Sequence, residues 1–213
     1  MLKILFTRHG QTKKNVDGTI QGHEDGDINE KGYEQIEKLR RRIKKEKIDI
    51  IMSSDIPRCK ITTERIAQEN NISIEYITIL REKSNGDLVG KKGDEVNWED
   101  LGGDFETRKA PNGENLIEVR ERGRKFMYDL LKKYKNTNKT ILVVSHGAFL
   151  KILIGDLIGT NLHNSIFKLF IDHCSLTRVD FDEVYKDGFN IKYINETEFL
   201  GEARNWIEPK KKQ

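Results

Sequence analysis

Leu2-Lys3-Ile4-Leu5-Phe6-Thr7, running into Arg8-His9-Gly10, is the stretch that decides the fold. It is short and apolar and closes on charged and polar residues, as a buried strand does on entering a loop. The pattern recurs twice. Ile48–Met52 gives way to Ser53-Ser54-Asp55, with Arg58 just past Pro57, and the very apolar Thr140–Ser145 breaks at His146-Gly147. Helical spacing fills the gaps. Asn29 is placed to cap a helix over roughly 30–47, in which Tyr33, Ile36, Leu39 and Ile43 recur three and four residues apart. Pro57 suits the first turn of a helix reaching about Asn70, with Ser54 or Asp55 as cap. Two more helices are expected over about 114–135 and 147–158.

Residues 10–29 read as loop, and Ile72–Leu80 reads as a third strand ending at Arg81-Glu82. Residues 165–171, 175–182 and 189–195 alternate like strands of an antiparallel edge. The order β, α, β, α, β, insertion, α, β, α predicts an α/β fold: a mostly parallel central sheet flanked by helices on both faces, with an antiparallel edge. A single domain is expected over 1–200. Residues 83–113, partly helical around Val96–Leu101, form a cap insertion, and 201–213 a polar tail.

The 213 residues carry 38 lysines and arginines against 35 acids, a net charge of +3, which argues against a strongly basic nucleic-acid binder. Cys59 and Cys174 lie far apart, which argues against a disulfide scaffold and for a reducing, cytoplasmic setting. The first residues carry too short an apolar run for a signal peptide. His146, Lys151 and Asp156 interrupt the longest apolar region, so no membrane span is expected. Nothing in the sequence sets an oligomeric state.

Chemistry collects where these segments end. Ligands of parallel α/β sheets bind at the carboxyl ends of the strands. The predicted sheet therefore brings Arg8, His9, Arg58 and His146 to one crevice, and Glu82 can join them. Two guanidinium groups match phosphate oxygens and neutralise their charge. A neutral imidazole can attack phosphorus, and a second, protonated, can stabilise the developing charge. A carboxyl group can protonate the leaving oxygen and later take a proton from water. No step calls for a metal ion or another cofactor. The expected partner is a small phosphorylated substrate.

Thr7-Arg8-His9-Gly10-Gln11-Thr12 with Asn15 resembles the signature of the histidine phosphatase superfamily, in its phosphoglycerate-mutase-like branch. Gln21-Gly22, Ser53-Ser54-Asp55 with Arg58 and Thr63-Glu64, and Leu80-Arg81-Glu82 follow in family order. So do Pro111-Asn112-Gly113-Glu114, Ser145-His146-Gly147 and Cys174-Ser175-Leu176-Thr177. The match covers about residues 1–195. The resemblance implies His9 as the phosphorylated nucleophile, His146 as its partner, Arg8 and Arg58 as the phosphoryl clamp, and Glu82 as proton donor and acceptor. It implies Asn15, Gln21, Gly22 and the backbone of Gly147 as binding positions on the phosphate side.

The family holds both phosphatases and mutases. Cofactor-dependent mutases typically carry Glu-Arg-His-Tyr-Gly after the third strand, then a longer insertion with a proline run. Here Glu82-Lys83-Ser84-Asn85-Gly86 stands in that place and no proline run follows, so the chain looks more like the phosphatase members. Leu88 and Val89 depart from the aromatic residue and Glu that many of those phosphatases carry. The expected activity is a metal-independent phosphomonoesterase of the histidine acid-phosphatase type. The alternatives are a 2,3-bisphosphoglycerate-dependent mutase and a catalytically weak phospho-ligand binding module.

Other patterns carry less. Cys59-x5-Arg65 has the spacing of a cysteine phosphatase loop but no glycine within it. Asp25, Asp27 and Asn29 lack the glycine and terminal glutamate of a calcium loop. His23, His163 and His173 lack zinc-like spacing. The basic run Arg40–Lys45 is expected to be a solvated helix face, and Lys83, Lys91, Lys92, Arg108 and Lys109 hint at an acidic substrate.

Overall fold

Six strands pair into one sheet in the computed structural model, which describes residues 1–68 and 72–201. They are β1 (Leu2–Arg8), β2 (Ile50–Ser53), β3 (Ser73–Tyr76), β4 (Thr140–Ser145), β5 (Leu176–Phe181) and β6 (Phe189–Glu196). Their order is β3-β2-β4-β1-β5-β6. The first four run parallel, and β5 and β6 form the antiparallel edge. The helices are α1 (Lys13–Val16), α2 (Glu30–Ile43), α3 (Pro57–Ala67), α4 (Leu116–Tyr134), α5 (Gly147–Leu157) and α6 (Leu162–Lys168).

Side chains alternate along a strand, so each central strand feeds two helical layers. Ile4, Phe6, Ile141 and Val143 join Val119, Phe126 and Leu130 of α4 and Phe149 and Leu153 of α5. Leu5, Leu142 and Val144 join Ile36 and Leu39 of α2 and Cys59 and Ile66 of α3 on the other face. All six residues of β4 are buried, which is why that strand is apolar without alternation. Each of these large side chains contributes about 1.5–3 kcal/mol of transfer free energy. The Asn29 side chain caps α2 by accepting from the Gly32 N–H, and Asn115 with Glu118 forms a reciprocal capping box on α4.

Several expectations are corrected. The third strand stops at Tyr76, because β2, its partner, ends at Ser53; Thr78–Leu80 is a 3-10 turn instead. That turn swings the chain across the sheet, and the Ser145 hydroxyl donates to Leu80 O at 2.7 Å. Residues 165–171 are not a strand. Asn161 accepts from the Asn164 N–H and caps α6, whose buried Leu162 and Ser165 follow a helical interval. The 10–29 loop holds the short helix α1. Helix α2 ends at Ile43, short of residue 47, and a 3-10 turn follows to a left-handed Lys47. Ile56, not Ser54 or Asp55, is the N-cap of α3, although the Ser54 hydroxyl accepts from the Ile56 N–H. The basic run is not all solvated: Arg42 is largely covered and grips Glu196 of β6 with two hydrogen bonds. The end of the expected helix at 69–70, and the tail at 202–213, lie outside the described residues.

In the 83–113 insertion a 3-10 turn covers Trp98–Leu101, as expected. Its backbone runs beside the 17–20 loop, with Gly90 N donating to Ile20 O and Ile20 N to Lys91 O. Gly86 has φ +48° and lies so close to Pro111 O that no side chain fits, which ties Pro111-Asn112-Gly113 to the stretch after Glu82. Among the described residues no helix is long and apolar enough to cross a membrane, and no three His, Cys, Asp or Glu side chains gather as metal ligands would.

Candidate active site

Strand register assembles the site. Arg8 pairs with Ser145 across β1 and β4, so His9 and His146 emerge side by side, with ring centroids 5.3 Å apart. The His9 N–H donates to Ser145 O at 3.0 Å. His9 Nδ1 lies 2.8 Å from Gly10 O. A carbonyl only accepts, so Nδ1 carries the proton and Nε2 keeps its lone pair. That Nε2 accepts from Arg58 Nε at 3.2 Å. Arg58 is buried and donates to Gly22 O and Glu24 O, each at 2.8 Å. The 10–29 loop thus holds the guanidinium against the imidazole.

Arg8 donates to Ile171 O at 3.2 Å, while its Nε is buried with no hydrogen-bond partner. A buried orphan donor beside a cavity is a place for an anion. A Cβ on Gly147 would sit 3.1 Å from Arg8 Cζ, so glycine there lets α5 begin against the guanidinium. His146 is fully buried, with Nε2 2.8 Å from Ser54 Oγ and 3.4 Å from Cys59 Sγ. Glu82 reaches the start of α5: its carboxylate oxygens accept from Ala148 N at 3.2 Å, Phe149 N at 3.1 Å and Lys83 N at 2.9 Å. Arg122 holds the backbone around it, donating to Ile79 O, Arg81 O and Glu82 O as well as to Glu114.

These groups surround a cavity of about 170 Å³ lined by Arg8, His9, Asn15, Gln21, Gly22, Arg58 and Glu82. His146 and Gly147, expected in the same set, stand behind its wall, one beside His9 and the other beneath Arg8. Thr12 caps α1 by accepting from the Asn15 N–H, the Asn15 side chain accepts from the Thr12 N–H in return, and Gln21 Oε1 accepts from the Thr12 hydroxyl at 3.0 Å. Sequence reasoning passed over Thr19, Asn85 and Ala148, which also line the cavity, as does Lys83, one of the basic residues read as a hint of an acidic substrate. It passed over Thr62, whose hydroxyl accepts from Gly10 N at 3.1 Å, and the pairing of Ser54 with His146. His173, set aside for want of zinc spacing, lies 5.3 Å from His9 ring to ring, with Nδ1 3.0 Å from His9 O. His23 Nε2 lies 2.7 Å from Glu82 O.

Burial sets the protonation of the site. It pushes His9 and His146 well below the ordinary imidazole range, and Arg58 and Arg8 push them further. Burial and Arg8 bring His173 down to about 3. All three are neutral at pH 7, as a nucleophilic Nε2 requires. Burial also raises the Cys59 thiol to about 12, which removes the thiolate a cysteine mechanism would need.

The sign of the pH dependence follows. Each folded-state pKa lies below the unfolded value of about 6.5, so below that pH the unfolded chain binds protons that the folded chain refuses. Stability is full above about pH 6.5 and falls as the pH drops, for His173 as far as about pH 3. Between pH 7.5 and 5.5 the three histidines together are expected to remove about 4 kcal/mol, a window in which carboxylates hardly titrate. Urea unfolding at the two pH values measures this, and equal midpoints would contradict it.

The family model of the histidine phosphatase superfamily (branch 1) matches residues 4–197. The chain belongs to the histidine phosphatase superfamily. Within it, a probable phosphoglycerate mutase GpmB from Erwinia tasmaniensis is 31% identical over 186 residues, which are 84% of this chain and 85% of that one. Among solved structures, Bacillus stearothermophilus YhfR superposes with TM-score 0.84 at 25% identity, over 94% of this chain and 100% of that one. An Entamoeba histolytica phosphoserine phosphatase variant in complex with phosphoserine gives 0.80 at 27% identity, with the same coverage. The six-stranded sheet with its antiparallel edge is the fold of this superfamily.

Proposed function

We propose that the protein is a metal-independent phosphomonoesterase that works through a phosphohistidine on His9. One observation carries the reading: His9 Nε2 is unprotonated and stands at the cavity with Arg58, Arg8 and Glu82. Nε2 attacks phosphorus as the P–O ester bond breaks, and the ester oxygen leaves with a proton from Glu82. Arg8 and Arg58 hold the phosphoryl oxygens. A protonated His146, its charge favoured once the dianion is bound, stabilises the charge of the transition state. Water then gives a proton to Glu82 and attacks phosphorus. The P–N bond breaks and phosphate leaves.

The relatives divide between two outcomes for the phosphoryl group. The Entamoeba histolytica phosphatase, bound to phosphoserine in one structure and 3-phosphoglyceric acid in another, supports hydrolysis. The relatives called probable phosphoglycerate mutases favour isomerisation. The stretch after Glu82, which lacks the Arg-His-Tyr of cofactor-dependent mutases, favours hydrolysis.

The test is phosphate release, with EDTA present, from a panel of phosphomonoesters that includes 3-phosphoglycerate. Isomerisation of 3-phosphoglycerate with and without 2,3-bisphosphoglycerate is followed on the same samples. Release in EDTA, with an acid-labile phosphoryl group trapped on His9, is the expected result. Isomerisation without release would give the mutase, and silence in both from folded protein would leave a binding module.

A further inference from the structure

We infer that His173 is a positioning residue for the nucleophile: with Thr62 it fixes the peptide between His9 and Gly10, and through Gly10 O it holds the His9 imidazole with its lone pair on Nε2. This inference rests on the phosphohistidine reading and adds a residue to it.

The peptide that follows His9 is held at both ends. His9 is buried, and a buried carbonyl needs a donor. His9 O lies 3.0 Å from His173 Nδ1. A carbonyl only accepts, so His173 Nδ1 carries the proton and donates it. At the other end, Gly10 N donates to the Thr62 hydroxyl at 3.1 Å, and that hydroxyl spends its own proton on Arg58 O at 2.8 Å. The next carbonyl, Gly10 O, is the acceptor that puts the His9 proton on Nδ1. If this peptide turned, Gly10 O would leave the ring, and nothing at Nδ1 would then select the tautomer that attacks.

The turn that carries His173 is pinned to the sheet. Arg8 and His173 pair in parallel, and Cys174 N donates to Arg8 O at 2.9 Å. Cys174 takes φ +56°, a costly left-handed conformation for a residue with a side chain. Ser175 N donates to Asp172 O at 3.2 Å. Asn195 of β6 accepts from Asp172 N at 2.7 Å and donates to the Asp172 carboxylate at 2.9 Å. Burial and the charges of Arg8, Lys31 and Arg58 keep His173 neutral, and its bond to His9 O works the other way without prevailing. What His173 supplies is therefore an N–H rather than a charge.

Asparagine and glutamine separate the hydrogen bond from the packing. The Asn amide nitrogen takes the place of histidine Nδ1. The Gln amide sits one bond further out, although Gln is nearer histidine in size. Rapid mixing with p-nitrophenyl phosphate reads formation of the phosphohistidine. His173→Asn should stay within about threefold of the parent rate, and His173→Gln should fall by about 10- to 100-fold, the cost of a small misplacement of a reacting group. The fall should appear in the rate rather than in KM. Nitrogen NMR of the imidazoles reads the same contact without turnover, and the signal missing from His9→Ala belongs to His9. That signal should show one tautomer, protonated on Nδ1, in the parent and in His173→Asn. It should show a mixture in His173→Gln and in Thr62→Val, which acts on the other end of the peptide. Urea unfolding checks that each variant folds, and Thr62→Val carries the test if His173→Gln does not. A Gln variant at least as fast as the Asn variant would overturn the inference. So would a single His9 tautomer in both His173→Gln and Thr62→Val. The expected tautomers in a parent protein that forms no phosphohistidine would sink the phosphatase reading and keep the role of His173. Turnover with one tautomer throughout would do the reverse.

Discussion

His9→Ala is expected to lower phosphate release by about 10⁴- to 10⁶-fold, the range seen when a catalytic nucleophile is removed. The size of the effect follows from how completely the surroundings are built around one nitrogen. Gly10 O takes the Nδ1 proton, so the lone pair sits on Nε2. Burial and two arginines keep the ring unprotonated. Its neighbours do not line the cavity: His146 stands behind the wall against Ser54, His173 lies against His9 O, and the Cys59 thiol is buried and protonated. The variant should still fold. It removes one of the three imidazoles that the folded chain must keep neutral, so the loss of stability between pH 7.5 and 5.5 should shrink by about a third, from three titrating groups to two. That urea measurement separates a lost nucleophile from a lost fold. Residual turnover within about 100-fold of the parent would mean that water attacks the ester directly, and the phosphohistidine would have to be abandoned.

The site was legible because its side chains sit at strand ends whose strands are apolar throughout. Thr140–Ser145 packs helices on both faces, so its sequence has no alternation to confuse, and His146 marks where the strand ends and α5 is capped. Arg8 and His9 stand in the same place on β1. What escaped the sequence depended on partners far along the chain. The third strand is apolar well past Tyr76, but a strand continues only as far as its neighbour, and β2 ends at Ser53. The helix α6 was hidden by the run Ile166-Phe167-Lys168-Leu169-Phe170-Ile171, whose apolar residues also fit a strand. Its cap, Asn161, was the signal that would have told them apart. Backbone donors leave no trace in a side-chain motif, so the Ala148 and Phe149 N–H groups that hold Glu82 could not be read. Lys83 was one basic residue among several until the fold set it, and not Lys91, Lys92, Arg108 or Lys109, in the cavity wall.

Glu82→Gln is expected to cost about 10²- to 10⁴-fold in kcat toward alkyl phosphates, the range of a general acid–base group. The amide is nearly isosteric, but it has one acceptor where the carboxylate has two. One carboxylate oxygen accepts from Lys83 N and Phe149 N, and the other from Ala148 N. The amide NH2 must therefore face an N–H donor at the start of α5 or turn away from it. The two chemical steps should respond differently. An alkoxide needs a proton to leave, so alkyl esters suffer in the first step. A nitrophenolate leaves without one, so p-nitrophenyl phosphate should still phosphorylate His9 at close to the parent rate. The second step needs a base for water whichever ester supplied the phosphoryl group, and there the variant should stall. Rapid mixing with p-nitrophenyl phosphate should then give a burst of nitrophenol equal to the enzyme present, followed by slow turnover, with phosphohistidine accumulating on the protein. Equal losses for alkyl and aryl esters with no burst would remove Glu82 from both proton transfers and leave it as a group that merely orients the start of α5.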